Sequence, residues 1–96
     1  MVEVRKTDEF ARWLSALRDI RAKAKVLARI SNMQNGNFGD CKPVGQGVSK
    51  SRISYGPGYR LYFIQHGAAV IVLLAGGEKS TQSRDIVVAH RLAAEL

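Results

Sequence analysis

Apolar and charged residues alternate from Val2 to Lys6, with Val2 and Val4 set against Glu3 and Arg5, and this period of two predicts a short half-buried strand. Thr7 or Asp8 then offers a helix cap, and Phe10, Trp13, Leu14 and Leu17 fall at i, i+3, i+4 and i+7. A helix over Asp8–Arg18 follows. Asp19 can cap a second helix reaching Met33, with Ile20, Ala24, Leu27 and Ile30 as its inward stripe, and Asn35-Gly36-Asn37 stops it. Phe38–Gly47, with Gly39, Pro43, Gly45 and Gly47, reads as an irregular connection.

Three strands come next: Val48–Tyr55, then Tyr59–His66 after the turn Gly56-Pro57-Gly58, then Ala68–Ala75. The last is almost continuously apolar, as a central strand covered on both faces is. After Gly76-Gly77, Ser80 or Thr81 can cap a final helix over Gln82–Ala94, with Ile86, Ala89, His90 and Ala93 on one side. The predicted order is β-α-α-β-β-β-α. Residues 1–96 then make a single α+β domain: a small, mostly antiparallel sheet, an N-terminal helix pair and a C-terminal helix.

Charge changes this picture more than composition does. The chain carries a formal +7, and its placement is uneven. Between Ile20 and Gly77, Asp40 is the single acidic residue against eight basic ones, whereas the remaining positions hold seven of each sign. The excess therefore sits in the middle of the chain, where a basic surface draws polyanions by steering and counterion release. The apolar run Gly67–Gly77 is about half the length a membrane-crossing helix needs, and the charged amino end lacks a secretory signal's apolar stretch. One cysteine, Cys41, forms no internal disulfide, and with His66 and His90 it is too poor a set for zinc. The expectation is a cytoplasmic protein with no metal and no cofactor.

If Gly56-Pro57-Gly58 closes a symmetric hairpin in which Tyr55 faces Tyr59, then Ser54 opposes Arg60, Arg52 opposes Tyr62 and Lys50 opposes Ile64. Lys50, Arg52, Ser54, Arg60 and Tyr62 become one polar cluster, with His66 at its edge, while Ile53, Tyr55, Tyr59, Leu61 and Phe63 face the helices. Cations beside an aromatic ring suit single-stranded RNA: guanidinium groups grip phosphates, and the ring is a stacking platform worth about 1–3 kcal/mol per base. The cluster also contains parts for RNA cleavage, in which the 2′-oxygen attacks the adjacent phosphorus, negative charge grows on the non-bridging oxygens and a proton moves at each end. Lys50 beside two arginines has its pKa pushed down by like charge, which fits it for proton transfer. His66 is expected at the surface, and His90 in a structural role.

Two further basic features stand outside the cluster. Arg21, Lys25 and Arg29 recur every fourth residue on the second helix, either as a row for phosphates or as the solvated face of that helix. Lys79 and Ser80 open the last helix, where free amides attract anions; a plain capping turn is the alternative. The glycine spacing of a nucleotide-binding loop is missing there.

The stretch Gly56-Pro57-Gly58-Tyr59-Arg60-Leu61-Tyr62-Phe63, with Gly76-Gly77-Glu78-Lys79-Ser80-Thr81-Gln82 and Asp85-Ile86, resembles the HigB/RelE-like addiction-module toxins, the "killer protein" branch of the RelE/ParE superfamily. The resemblance spans nearly the whole chain. It implies a RelE-like fold and the toxin of a bacterial type II toxin–antitoxin pair, held in check by a cognate antitoxin of helix-turn-helix type and acting on ribosome-bound messenger RNA as a metal-independent endoribonuclease. Carried over by position, Lys50 and Arg52 match the basic pair before the turn, Arg60 the arginine that holds the scissile phosphate, and Lys79 a basic residue after the last strand. Ile86 stands where RelE proper has an assisting tyrosine, and Tyr62 is the candidate substitute. ParE-type relatives poison DNA gyrase and cut nothing, so gyrase inhibition, or plain RNA binding, stays open on fold alone.

Overall fold

The first seven residues already show how the layers join. In a computed structural model that describes residues 1–96, strand β1 (Glu3–Lys6) leads into helix α1 (Asp8–Ala16). The Thr7 hydroxyl accepts from the Phe10 amide at 3.1 Å and donates to the Leu74 carbonyl at 2.6 Å, so one side chain caps the helix and pins it to the sheet. Helix α2 (Ile20–Gln34) starts at Asp19, whose carboxylate accepts from the amides of Arg21 and Ala22.

Four strands follow rather than three: β2 (Asp40–Gly45), β3 (Val48–Ile53), β4 (Tyr59–His66) and β5 (Val70–Glu78), before a short 3-10 turn (Lys79–Thr81) and helix α3 (Gln82–Ala94). The strand missed is β2, read from sequence as irregular connection. It survives its glycines and proline because it is an edge: Pro43 withholds an amide no neighbour needs, and the ladder to β3 is bulged between Pro43 and Gly45. A two-residue turn, Gln46-Gly47, with φ of 56° and 77°, joins β2 to β3.

The sheet order is β1-β5-β4-β3-β2, with β1 parallel to β5 and the other pairs antiparallel. The architecture is α+β, a mixed five-stranded sheet between two helical layers. The apolar strand expected to be central, β5, is interior to the sheet and covered on both faces, next to β4 in the exact middle, though it starts at Val70 and runs on to Glu78. On one face α1 and α2 bury Phe10, Leu14, Val26 and Ile30 against Tyr59, Leu61, Phe63, Ile71 and Leu73. On the other, α3 covers Tyr62, Ile64, Val72 and Leu74 through Ile86, Ala89 and Leu92.

Gly76 and Gly77 make both contacts close. A Cβ on Gly76 would lie 2.2 Å from the Trp13 ring on the α1 side, and one on Gly77 would lie 1.8 Å from Asp85 Oδ2 on the α3 side. The inward stripe of α2 differs from the one its sequence suggests. Ala22, Val26, Ile30 and Met33 are buried, while Ile20, Ala24 and Leu27 face solvent. The rotation brings Arg29 toward the sheet. Its guanidinium donates to Ser51 Oγ at 2.6 Å and to the Arg52 carbonyl at 2.8 Å, bonds that a charge-free reading of hydrophobic period does not anticipate.

Candidate functional site

The β3–β4 hairpin closes with a longer loop than the symmetric three-residue turn predicts. Ile53 opposes Tyr59, Arg52 opposes Arg60 and Lys50 opposes Tyr62, leaving Ser54–Gly58 as a five-residue loop closed by the Gly58 amide donating to the Tyr55 carbonyl at 3.0 Å. The slip relative to the expected pairing is two residues, and an even slip keeps every side chain on its face. Lys50, Arg52, Arg60 and Tyr62 therefore share the α3 side of the sheet, where α3 covers Tyr62 but leaves open the surface beside Arg52 and Arg60.

A concavity of about 320 Å³ opens there, lined by Asp40, Arg52, Ser54, Gly58, Arg60 and Lys79 with Ile53 at its wall. Arg60 is its floor. The residue is 7% exposed, one of its terminal nitrogens donates to the Gly58 carbonyl at 2.9 Å, and its Nε has no partner. No carboxylate lies within ion-pair distance of Arg60. The buried Asp85 carboxylate stands across the ladder without reaching ion-pair distance, and the guanidinium looks into an open pocket edged by Arg52 and Lys79, where an anion would supply the partner it lacks.

Arg52 stands at the rim and is paired. It donates through two nitrogens to Asp40 at 3.0 and 3.1 Å, and the pair holds the Asp40 carboxyl below its usual range. The acid that stands alone in the basic middle of the sequence is thus the partner of one of its arginines. Lys50 donates to Gln82 Oε1 at 2.5 Å, bridging β3 to the start of α3. Burial first, then the positive charges of Arg60, Arg52 and Lys42, push the Lys50 pKa down, in the direction expected but with desolvation as the larger cause.

Tyr62 departs from expectation. It is 0% exposed, packed with Val48, Leu74 and Ala89, and so offers no ring for a base to stack on. Its hydroxyl is buried without a partner, and burial together with the Asp85 charge pushes its pKa up to about 12. At the opening of the last helix two backbone amides are already engaged. The Lys79 amide donates to the Gly58 carbonyl at 2.8 Å and the Glu78 amide to Thr81 Oγ1 at 3.2 Å, so both donors are occupied. The Lys79 side chain lines the pocket, but Ser80 does not.

The row Arg21, Lys25, Arg29 does not join this site. Helix α2 covers the opposite face of the sheet, Arg29 is bonded to Ser51 and the Arg52 carbonyl, and Lys25 lies 5.2 Å from the centre of the Tyr55 ring. His66 is exposed at the end of β4, and His90 Nε2 lies 3.0 Å from the Val44 carbonyl, joining α3 to β2. No group of three or more His, Cys, Asp or Glu residues has a geometry that holds a metal.

Sequence reasoning overlooked Asp85. It is 8% exposed, accepts from Thr81 Oγ1 at 2.5 Å and occupies the space that Gly77 leaves free directly across the ladder from Arg60. The signal was available. Thr81, Asp85 and Ala89 recur every fourth residue on the side of α3 that faces the sheet, and a glycine precedes them on the strand.

Fold and site together define a small α+β domain whose sheet carries a cationic pocket with an unpaired arginine at its floor. No described protein-family profile matches the chain. It is 47% identical over 95 residues to an uncharacterized protein of Haemophilus influenzae (strain ATCC 51907 / DSM 11121 / KW20 / Rd), a match covering 99% of this chain and 96% of the relative. The chain belongs to that protein's family.

Proposed function

We propose that the protein is a toxin of the HigB/RelE-like branch of the RelE/ParE superfamily, with a RelE-like fold, and that it cuts messenger RNA on the ribosome. The observation that carries this reading is Arg60: a buried guanidinium with no carboxylate partner, facing a 320 Å³ pocket with Lys79 and Arg52 at its edge. A phosphodiester placed there gives Arg60 its counter-charge, and negative charge growing on the non-bridging oxygens strengthens the same contacts.

Lys50 is the proton-transfer candidate on this reading. A lowered pKa increases the neutral fraction near neutral pH, and the neutral amine can take the proton of the attacking 2′-hydroxyl. Lys79 and Arg52 steady the flanking phosphates. Tyr62 is left out of the chemistry because it is wholly buried, and a cognate antitoxin of helix-turn-helix type is the expected partner.

Primer extension on cellular transcripts after induced expression tests the proposal. New 5′ ends falling within codons of translated messages, and absent with the Arg60→Ala protein, are the expected result. Intact transcripts accompanied by DNA breaks would replace it with gyrase poisoning, and intact transcripts with intact DNA would leave a binding module.

A further inference from the structure

The cationic pocket can grip a phosphate, but it has no aromatic ring for a base. Phe10, Trp13, Phe38, Tyr55, Tyr59 and Phe63 all belong to the layer packed with α1 and α2, and Tyr62 is sealed under α3. None of them lines the pocket. A single strand held by its phosphates alone leaves its bases in water, and stacking is the contact such strands ordinarily gain besides charge. A guanidinium plane can take the place of a ring, and Arg52 at the rim has one whose orientation is fixed.

Arg52 is anchored at both ends. Asp40 stands directly across the β2–β3 ladder, and its carboxylate accepts from Arg52 Nε at 3.0 Å and from Nη2 at 2.9 and 3.1 Å. This two-point fork sets the plane of the guanidinium. At the other end Arg29, reaching in from the α2 side, donates to the Arg52 carbonyl at 2.8 Å. The side chains of Arg52 and Asp40 are 34% and 56% exposed, and an ion pair so open to water adds little to stability. What the pair does is hold a flat group still at the edge of the pocket, with Nη1 left free to reach a flanking phosphate.

We propose that the guanidinium of Arg52, locked by Asp40, is the stacking platform for one nucleobase of a strand whose phosphate sits on Arg60. The inference deepens the RNA reading of the pocket and rests on it. A concavity of about 320 Å³ is at the lower end for small-ligand sites, which suits one nucleotide and not a duplex. Asp40 is then a positioning residue: it orders Arg52 before the strand arrives, so that binding does not have to immobilise a long side chain. A cation used for phosphate alone gains nothing from such a partner, since the carboxylate offsets its charge and repels the strand. A stacking plane gains its orientation.

The test is fluorescence anisotropy of the whole chain at low salt with two labelled 2′-deoxy strands of about five units, one of adenosines and one of abasic sugars. Both carry the same phosphates, so general electrostatic or folding effects of a variant cancel in the ratio of the two affinities. The unaltered protein is expected to prefer the adenine strand by about five-fold or more. Arg52→Lys keeps the charge and loses the plane, and is expected to bring that ratio close to unity with the salt dependence unchanged. Asp40→Ala, which frees the plane to turn, lowers the ratio as well. An undiminished ratio in Arg52→Lys overturns the inference, and so does tighter binding of both strands by Asp40→Ala with the ratio intact, which would make Asp40 a mask over Arg52. Equal binding of the two strands by the unaltered protein overturns it and leaves the RNA reading standing, whereas binding of neither overturns both.

Discussion

Arg60 couples function to instability. A buried charge without an ion-pair partner carries a desolvation cost that an apolar residue of similar volume does not, so Arg60→Met is expected to unfold at equal or higher denaturant while losing growth inhibition. Chemical denaturation and a plating assay together check this, and loss of both properties would make Arg60 a structural residue. Tyr62 behaves oppositely. Its hydroxyl is buried with no partner, and Tyr62→Phe is expected to raise stability by about 1 kcal/mol with growth inhibition intact. Lys50 supplies a pH signature. Its folded pKa lies below the unfolded value, so between those two values the unfolded chain holds more protons and stability rises with pH. Lys50→Met flattens that alkaline rise in a pH series of denaturation curves, and RNA cleavage by the unaltered protein increases with pH across the lower part of the window if Lys50 is the base. That Lys50, Arg52 and Arg60 share a face followed from alternation along the strands; that Tyr62 is sealed by α3 did not, because strand periodicity assigns a face but not what covers it.

Among the elements, the pairing of β5 with α3 turns on one missing side chain. Asp85 occupies the space a Gly77 Cβ would take, at 1.8 Å. Gly77→Ala is therefore expected to lower stability by about 2–4 kcal/mol, in the range of overpacked and broken buried polar sites. Combining it with Asp85→Ala removes the clash, so denaturation of the four proteins of the cycle is expected to show a coupling energy of about 1–3 kcal/mol. Additive losses would mean that the two residues do not share the space. The helix caps at Thr7 and Asp19 and the limits of α3 were readable in sequence, since capping is local chemistry. The burial phase of α2 was not, because Arg29 reaches the sheet through its guanidinium and draws its side of the helix inward. Nor was β2, whose edge position makes its proline and glycines tolerable only once a neighbour is known.

In the molecule as a whole, the +7 charge is divided between two surfaces on opposite sides of the sheet. If RNA engages only the pocket side of the sheet, through Arg60 and Lys79 in the pocket and Lys50 on the same face, the logarithm of affinity for a single strand falls against the logarithm of salt with a slope of about −2. Fluorescence anisotropy with a labelled oligonucleotide measures it, and Arg21→Ala with Lys25→Ala should leave that slope alone; a steeper one that the double variant reduces would place RNA on α2 as well. The parallel pairing of β1 with β5 bears on how the protein comes into being. Thr7 bonds to a carbonyl 67 positions away. At synthesis rates of about 5–20 residues per second, that separation of 67 keeps the first strand without its neighbour for about 3–13 s on each growing chain. The strand made first takes its place last, so a chain arrested before β5 carries neither a closed core nor a finished cationic pocket.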